Sequence, residues 1–156
     1  PDARTKGDVE AAMEYLRAQS TSSGKVGCIG FCSGGRQSYL VACNISSLDA
    51  AVVCYGGRIV AAPDQLNEVQ PRAPIDMTRD IDCPVLGLFG AEDSSPSPDD
   101  VARIEAELKR HGKSYEIHTY EDAGHGFFAD YRPSYRQHAA VDGWERVFAW
   151  YNQHLQ

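Results

Sequence analysis

The stretch Lys25–Gly35, KVGCIGFCSGG, contains a potential nucleophile together with the kind of turn that would expose it. An apolar run typical of a buried strand leads into GFCSG at Gly30–Gly34, and Gln37–Ala42 can continue as a helix. A strand, a sharp glycine-flanked turn and a helix form a nucleophile elbow, usually G-x-S-x-G, here with cysteine at its centre. The backbone N–H of Ser33, at the helix start, would face a developing oxyanion. We therefore interpret Cys32 as the nucleophile of an acyl-transfer enzyme.

Two other interpretations of this stretch must be weighed. A cysteine that follows a strand is commonly a small core residue, although the flanking glycines favour the elbow. The pattern Gly30-x-Cys32-x-x-Gly35 also approaches the dinucleotide-binding G-x-G-x-x-G. Its middle glycine is replaced, however, and a Cβ there hinders close approach of a pyrophosphate. No acidic residue ends a second strand about twenty residues later, so the dinucleotide hypothesis is the weaker one.

Two candidate partners for Cys32 follow later strands of the predicted sheet. Asp93 and His125 each come directly after such a strand, and the carboxyl ends of parallel strands share one edge of a sheet. An imidazole can take the thiol proton, and a carboxylate fixes the tautomer of that imidazole. The order nucleophile, acid, histidine is that of α/β-hydrolases. We favour Asp93 over Glu92 because it lies further beyond the strand; the competing interpretation of His125 is a surface turn.

The elements that must position these residues alternate along the chain. Apolar or alternating runs predict four strands, at Val26–Gly30, Ala50–Tyr55, Pro84–Gly90 and Tyr115–Tyr120. Helical spacing predicts a first helix capped by Thr5 and another capped by Ser97. A last helix would face the core with Ala140, Trp144, Val147, Phe148, Tyr151 and Leu155. Strands alternating with helices predict an α/β fold with a mostly parallel sheet covered by helices on both faces.

Composition narrows the class of protein. The 156 residues suit a single domain over 1–156, and the net charge of −7 argues against a nucleic-acid partner. No apolar run is long enough to span a membrane. Five cysteines, an odd number mostly within apolar segments, favour reduced thiols and a cytoplasmic location. No zinc-binding spacing and no H-E-x-x-H motif occur, so we predict no metal site.

Over nearly its whole length the chain resembles the dienelactone hydrolases, or carboxymethylenebutenolidases, which have the α/β-hydrolase fold. The resemblance rests on six segments: GFCSGG (Gly30–Gly35), CYGG (Cys54–Gly57), CPVLGLFGAED (Cys83–Asp93), SPSPDDV (Ser95–Val101), YEDAGHGFF (Tyr120–Phe128) and RPSY (Arg132–Tyr135). It implies a hydrolase that cleaves a small-molecule ester or lactone without a cofactor. By this resemblance Cys32, Asp93 and His125 match the catalytic triad, and Ser33 supplies an oxyanion-hole N–H. The residues expected to contact substrate are Phe31, Tyr55, Phe127 and Arg132.

Two departures from the family pattern bear on the substrate. Members that act on dienelactone often carry an arginine four residues after the histidine, where this chain has Ala129. Arg132 or Arg136 would have to substitute for it. A common YYG segment is replaced by Cys54-Tyr55-Gly56. An ester or lactone hydrolase is thus expected, with dienelactone itself in doubt; the alternatives are a catalytically silent or regulatory hydrolase-fold protein and a thiol redox sensor at Cys32.

The resemblance also predicts a missing part of the sheet. Family members carry several strands before the elbow, with the loop that supplies a second oxyanion N–H, whereas one predicted helix precedes Cys32 here. We therefore expect residues 1–156 to be the C-terminal part of a longer domain that lacks its N-terminal strands. The strand before Cys32 would then have an open edge, which upstream residues or a second copy of the chain in a homo-oligomer would cover.

Overall fold

The computed structural model describes Pro1–Gln156, and its centre is one parallel sheet of four strands in the order β1-β2-β3-β4. The strands are β1 (Gly27–Phe31), β2 (Ala50–Cys54), β3 (Val85–Gly90) and β4 (Tyr115–Tyr120). All three pairings are parallel. The predicted sheet is confirmed, and each predicted strand end lies within one residue of the observed one. Every residue of β2 and β3 is buried, which explains why these strands read as continuous apolar runs.

Helices cover both faces of the sheet, as predicted. The α-helices are α1 (Asp2–Arg17), α2 (Ser33–Asn44), α3 (Pro98–Arg110) and α4 (Gln137–His154), and two 3₁₀ segments cover Pro63–Gln65 and Pro74–Asp80. One core cluster joins α2, α3 and the second 3₁₀ segment to one face of the sheet. The other cluster joins α4 to the opposite face. Alternate strand residues face the two layers, so Val53 belongs to the first cluster and Val52 to the second.

The two predicted helix caps have different outcomes. Ser97 caps α3 as predicted: its hydroxyl accepts a hydrogen bond from the Asp100 N–H at 3.2 Å, and the Asp100 carboxylate accepts one from the Ser97 N–H at 3.1 Å. The prediction for Thr5 is wrong, because α1 already begins at Asp2 and Thr5 lies inside its first turns. Its hydroxyl instead donates back to the Pro1 carbonyl oxygen.

The prediction for the buried face of α4 is partly wrong. Its buried residues are Ala139, Ala140, Gly143, Val147 and Trp150. Trp144 and Phe148, which we expected in the core, are 40% and 66% exposed. The helix packs through its small residues: a Cβ on Gly143 would lie 2.4 Å from the Phe128 ring. Further along the helix Val147 and Trp150 fill the same face, and Trp144 and Phe148 lie to one side of it and stack on each other.

Strand β1 forms one edge of the sheet, since it pairs only with β2. Most of its residues are half-buried, in contrast to the fully buried β2 and β3. None of the helices has the length and apolar character needed to cross a membrane.

Candidate active site

Cys32 lies at a tight turn between β1 and α2. Its φ of 55° is in the left-handed region, which non-glycine residues seldom adopt. The turn brings β1 close to the start of α2: a Cβ on Gly30 would lie 2.0 Å from the Gly34 carbonyl oxygen. A Cβ on Gly35 would lie 2.5 Å from the Cys54 carbonyl oxygen, whereas Gly34 has open space around it. Glycine is therefore required sterically at 30 and 35, and the backbone has the form expected of a nucleophile elbow.

Three strand ends bring Cys32, Asp93 and His125 together. Nε2 of His125 is 2.9 Å from Sγ of Cys32, and Nδ1 of His125 is 2.8 Å from Oδ2 of Asp93. With the proton on Nδ1, the imidazole donates to the carboxylate and its Nε2 can accept the thiol proton. This geometry would allow a proton to pass from the thiol to a histidine that is oriented by a carboxylate.

The acidic partner of His125 is buried and firmly held. The Asp93 side chain is 2% exposed, and its Oδ1 accepts a hydrogen bond from the backbone N–H of Ser95 at 2.9 Å. Its neighbour Glu92 is exposed to solvent. The structure thus places Asp93, not Glu92, against the imidazole. The buried carboxylate can compensate the positive charge that forms when His125 takes a proton.

The surroundings of Cys32 favour the protonated form of its thiol. Burial raises the pKa of Cys32 above its ordinary value, the Arg132 charge opposes this rise, and the Asp93 charge adds to it. The thiolate is the better nucleophile, and Nε2 of His125 lies within hydrogen-bond distance to accept the thiol proton. Ser33 is the first residue of α2, where backbone N–H groups have no partner within the helix. Its N–H is therefore free to bind an oxyanion beside Cys32.

An apolar cavity of about 290 Å³ opens on one side of Cys32. Its walls are mainly aromatic, and its lining residues are Phe31, Cys32, Tyr55, Gly126, Phe128, Ala129, Tyr131, Arg132 and Trp144. Three of the four predicted substrate contacts, Phe31, Tyr55 and Arg132, are in this set. Arg136 lies outside it and donates to the Asp122 carbonyl oxygen. Of the two arginines considered from the sequence, only Arg132 can therefore reach a molecule in this cavity.

The fourth predicted substrate contact, Phe127, does not line this cavity. Its side chain is completely buried and packs against Tyr55 and Tyr120, with ring centroids 5.2 and 5.1 Å apart. Phe128 lines the cavity in its place. The doublet Phe127-Phe128 after His125 indicates that an aromatic side chain lies near the site, but the loop conformation decides which of the two faces the core. Sequence reasoning also missed Tyr131 and Trp144, the latter because its helical spacing indicated the core.

A polar cavity of about 320 Å³ opens on the other side of Cys32. Its lining residues are Cys32, Ser33, Arg36, Gly57, Arg58, Gln70, Asp93, Ser94, Ser95 and His125. The Arg36 side chain is 3% exposed and forms a two-point ion pair with Asp2, with N–O distances of 2.7 and 2.9 Å. This pair ties α1 to the helix that carries Ser33 and compensates the buried charge of Arg36.

Comparisons with known proteins identify the family. The model of the dienelactone hydrolase family matches residues 2–155. The chain is 36% identical over 155 residues to a Methylorubrum extorquens protein named "Putative carboxymethylenebutenolidase", and 35% identical over 154 residues to an Escherichia coli K12 protein of the same name. The two alignments include 99% of this chain but 52% and 55% of the relatives. The chain therefore spans about half the length of these relatives.

A solved structure gives the same result. The crystal structure of a "Putative Dienelactone Hydrolase" from Klebsiella pneumoniae superposes with a TM-score of 0.91 at 36% identity, over 99% of this chain and 62% of that one. A dienelactone hydrolase-like promiscuous phosphotriesterase from metagenomic libraries, at 24% identity and a TM-score of 0.77, shares the fold. The chain belongs to the dienelactone hydrolase family and has the α/β-hydrolase fold.

Proposed function

We propose that the protein hydrolyses a carboxylic ester or lactone, with Cys32 as nucleophile, His125 as general base and acid, and Asp93 as the carboxylate that orients His125. One observation carries this proposal: the continuous hydrogen-bonded series from Cys32 Sγ through both nitrogens of His125 to the buried Asp93. The relatives named carboxymethylenebutenolidase support a lactone or ester as the substrate class.

The reaction follows from this geometry in two halves. Sγ of Cys32 attacks the carbonyl carbon while Nε2 of His125 takes the thiol proton, and the oxygen of the tetrahedral intermediate accepts a hydrogen bond from the Ser33 N–H. The C–O bond then breaks, and His125 returns the proton to the departing alcohol oxygen. Water attacks the resulting thioester with His125 again as base. The carboxylic acid leaves and the Cys32 thiol is restored.

The cavities favour a substrate with an apolar acyl part. Phe31, Phe128 and Trp144 surround the 290 Å³ cavity, which suits a flat or branched hydrocarbon group of modest size. Arg132 contributes the cation of this cavity and can bind a carboxylate on the same acyl part. Ala129 leaves the usual arginine position of dienelactone-cleaving members without a charge. We therefore propose an ester or lactone other than dienelactone itself.

The test is a pair of cysteine variants assayed on a chromogenic acyl ester. Cys32→Ala removes the nucleophile, and kcat should fall by about a thousandfold or more. Cys28→Ala, four residues earlier on β1 and outside both cavities, is the matched control and should retain turnover. Rapid mixing should show a burst of alcohol, with the acyl group covalently attached in the intact-protein mass. Turnover retained in Cys32→Ala, or no turnover in the unmodified protein, would contradict the proposal and favour a silent or regulatory role.

A further inference from the structure

The two cavities share Cys32 but differ in how they meet His125. His125 is among the residues that line the polar cavity, whereas the apolar cavity is lined by its neighbour Gly126 and not by His125. In ester cleavage the histidine gives its proton to the departing alcohol oxygen, which must lie within hydrogen-bond distance of Nε2. The alcohol part of an ester therefore leaves on the side of the polar cavity. The acyl part, bound to sulfur, remains on the side of the aromatic cavity.

The polar cavity has one cation without a counterion. Its other charged groups have partners within the protein: Arg36 forms an ion pair with Asp2, and the Asp93 carboxylate accepts hydrogen bonds from His125 and the Ser95 N–H. Arg58 has no carboxylate within ion-pair distance, and its guanidinium donates only to the backbone carbonyl oxygen of Gln65. Its remaining N–H groups are free. Arg58, which is exposed to solvent, is thus the arginine of this cavity that forms no ion pair within the chain.

The loop that carries Arg58 is fixed close to the catalytic residues. Arg58 has a φ of 61°, in the left-handed region, and directly follows Gly57. A Cβ on Gly57 would lie 3.0 Å from the carbonyl oxygen of Ser95, the residue whose N–H binds Asp93. Ser94, Ser95 and Gln70 line the same cavity and have side chains that can donate hydrogen bonds. A cation with neutral donors around it is suited to a carboxylate or another small anion.

We infer that the polar cavity binds an anionic group on the alcohol part of the ester and that Arg58 selects for it. This inference rests on the proposed function, because ester hydrolysis defines which part of the substrate is the alcohol. Arg132 lies on the acyl side, so the two arginines would contact different parts of one substrate. The preferred substrate class is an ester with an apolar acyl group and an acidic alcohol.

The experiment compares two esters with the same acyl group. O-benzoylglycolate carries a carboxylate on its alcohol part, and O-benzoylglycolamide carries a neutral amide of nearly the same shape. We expect the ratio of kcat/KM for the acid over the amide to fall about tenfold in Arg58→Gln, the effect of losing one charge-assisted contact. Differences in the intrinsic reactivity of the two esters cancel in this comparison of ratios. The preference for the acid should also shrink as ionic strength rises.

Arg103→Gln is the matched control. It makes the same change of charge and side chain at an exposed position on α3, outside both cavities. The ratio should be unchanged in Arg103→Gln. A ratio that is equally unchanged in Arg58→Gln, or that falls equally in both variants, would overturn the inference.

A binding measurement separates this inference from the proposed function. Cys32→Ala cannot form the thioester, so the dissociation constant of O-benzoylglycolate for this variant can be measured by calorimetry. Adding Arg58→Gln should weaken binding of the acid about tenfold. The dissociation constants of the acid and the amide should then be equal. Failure to hydrolyse either ester would contradict the proposed function alone. Equal binding of acid and amide to Cys32→Ala would contradict the anion site alone.

Discussion

At the scale of single residues, the environment of Cys32 favours the neutral thiol over the thiolate. Burial and the charge of Asp93 both raise the pKa of Cys32, and Arg132 only partly offsets them. In the proposed mechanism, the 2.9 Å contact with His125 is the path by which the proton leaves the thiol. A neutral thiol is less prone to oxidation and alkylation than a permanent thiolate. The three side chains thus have the arrangement that the proposed proton transfer requires.

The role of Asp93 can be tested with a charge-matched neighbour. Asp93→Asn keeps the shape of the side chain but loses the carboxylate that orients Nδ1–H of His125, so kcat should fall by about a thousandfold with the fold intact. Glu92→Gln removes the same charge one residue earlier, at an exposed position, and kcat should stay within about twofold. Steady-state kinetics and circular dichroism of both variants provide the measurement. A mild Asp93→Asn beside a damaging Glu92→Gln would move the acid to Glu92.

The residues of the site differ in how far the sequence could predict them. Cys32, Asp93 and His125 could be placed together because each follows a strand, and parallel strands end at one edge. The choice between Phe127 and Phe128 could not be made, because adjacent loop residues point in directions set by the loop conformation. Arg58 gave no signal in the sequence, since its importance depends on which other charges near it are already paired.

At the scale of elements, the elbow depends on very close packing between β1, α2 and β2. The left-handed conformation of Cys32 is unfavourable by itself and persists because the surrounding backbone is fixed on both sides. Gly30 permits contact between β1 and the first turn of α2, and Gly35 permits contact between α2 and the end of β2. The position of the nucleophile is therefore set by backbone contacts as well as by side chains.

The two glycines that flank Cys32 in the motif should respond in opposite ways to alanine. A Cβ at Gly30 would meet the backbone at 2.0 Å, so Gly30→Ala should lower the free energy of unfolding by about 3 kcal/mol or more, or prevent cooperative folding. Gly34 lies in the first turn of α2 with open space around its Cα. Gly34→Ala should leave the free energy of unfolding unchanged or raise it by up to about 1 kcal/mol. Denaturant titration of both variants measures this; equal losses of stability would contradict the packing argument.

Elements with a uniform environment were the easiest to predict. Strands β2 and β3 are buried on both faces, so their apolar runs indicate strands without ambiguity. The buried face of α4 was mispredicted because their hydrophobicity places Trp144 and Phe148 in the core. The face that packs on the sheet instead includes small residues such as Gly143, which permit close approach. Apolar spacing cannot distinguish a large side chain that fills a space from a small one that permits close approach.

At the scale of the whole molecule, the middle strands of the sheet are enclosed and its edge strands are more open. Strands β2 and β3 lie between helices, but β1 has an open edge, and Trp144 and Phe148 form an exposed apolar surface on α4. Phe31 connects these features, since its ring lies 6.0 Å from that of Trp144. An open apolar edge favours pairing with a further strand. This is the edge at which we expected additional strands or a second copy of the chain, and it borders the aromatic cavity.

The buried thiols make a prediction for the stability of the whole chain at alkaline pH. Burial raises the pKa of Cys28 to about 11 and that of Cys83 to about 12, from an ordinary value of 9.0, and it also raises the pKa of Cys43 and Cys54. Below pH 9 these thiols are protonated in both the folded and the unfolded chain, so they add no pH dependence. Above pH 9 the unfolded chain loses protons first, and the free energy of unfolding falls as pH rises.

We therefore expect a flat stability profile from these thiols up to about pH 9 and a steep decline toward pH 11. Each thiol contributes a slope of about 1.4 kcal/mol per pH unit once the pH is well above 9. Guanidinium titrations at closely spaced pH values, with a phosphine reductant present, measure the slope. In Cys83→Ala the decline should be shallower than in the unmodified chain, because the variant lacks one titrating thiol. A decline of equal slope in both would show that the loss of stability comes from groups other than this thiol.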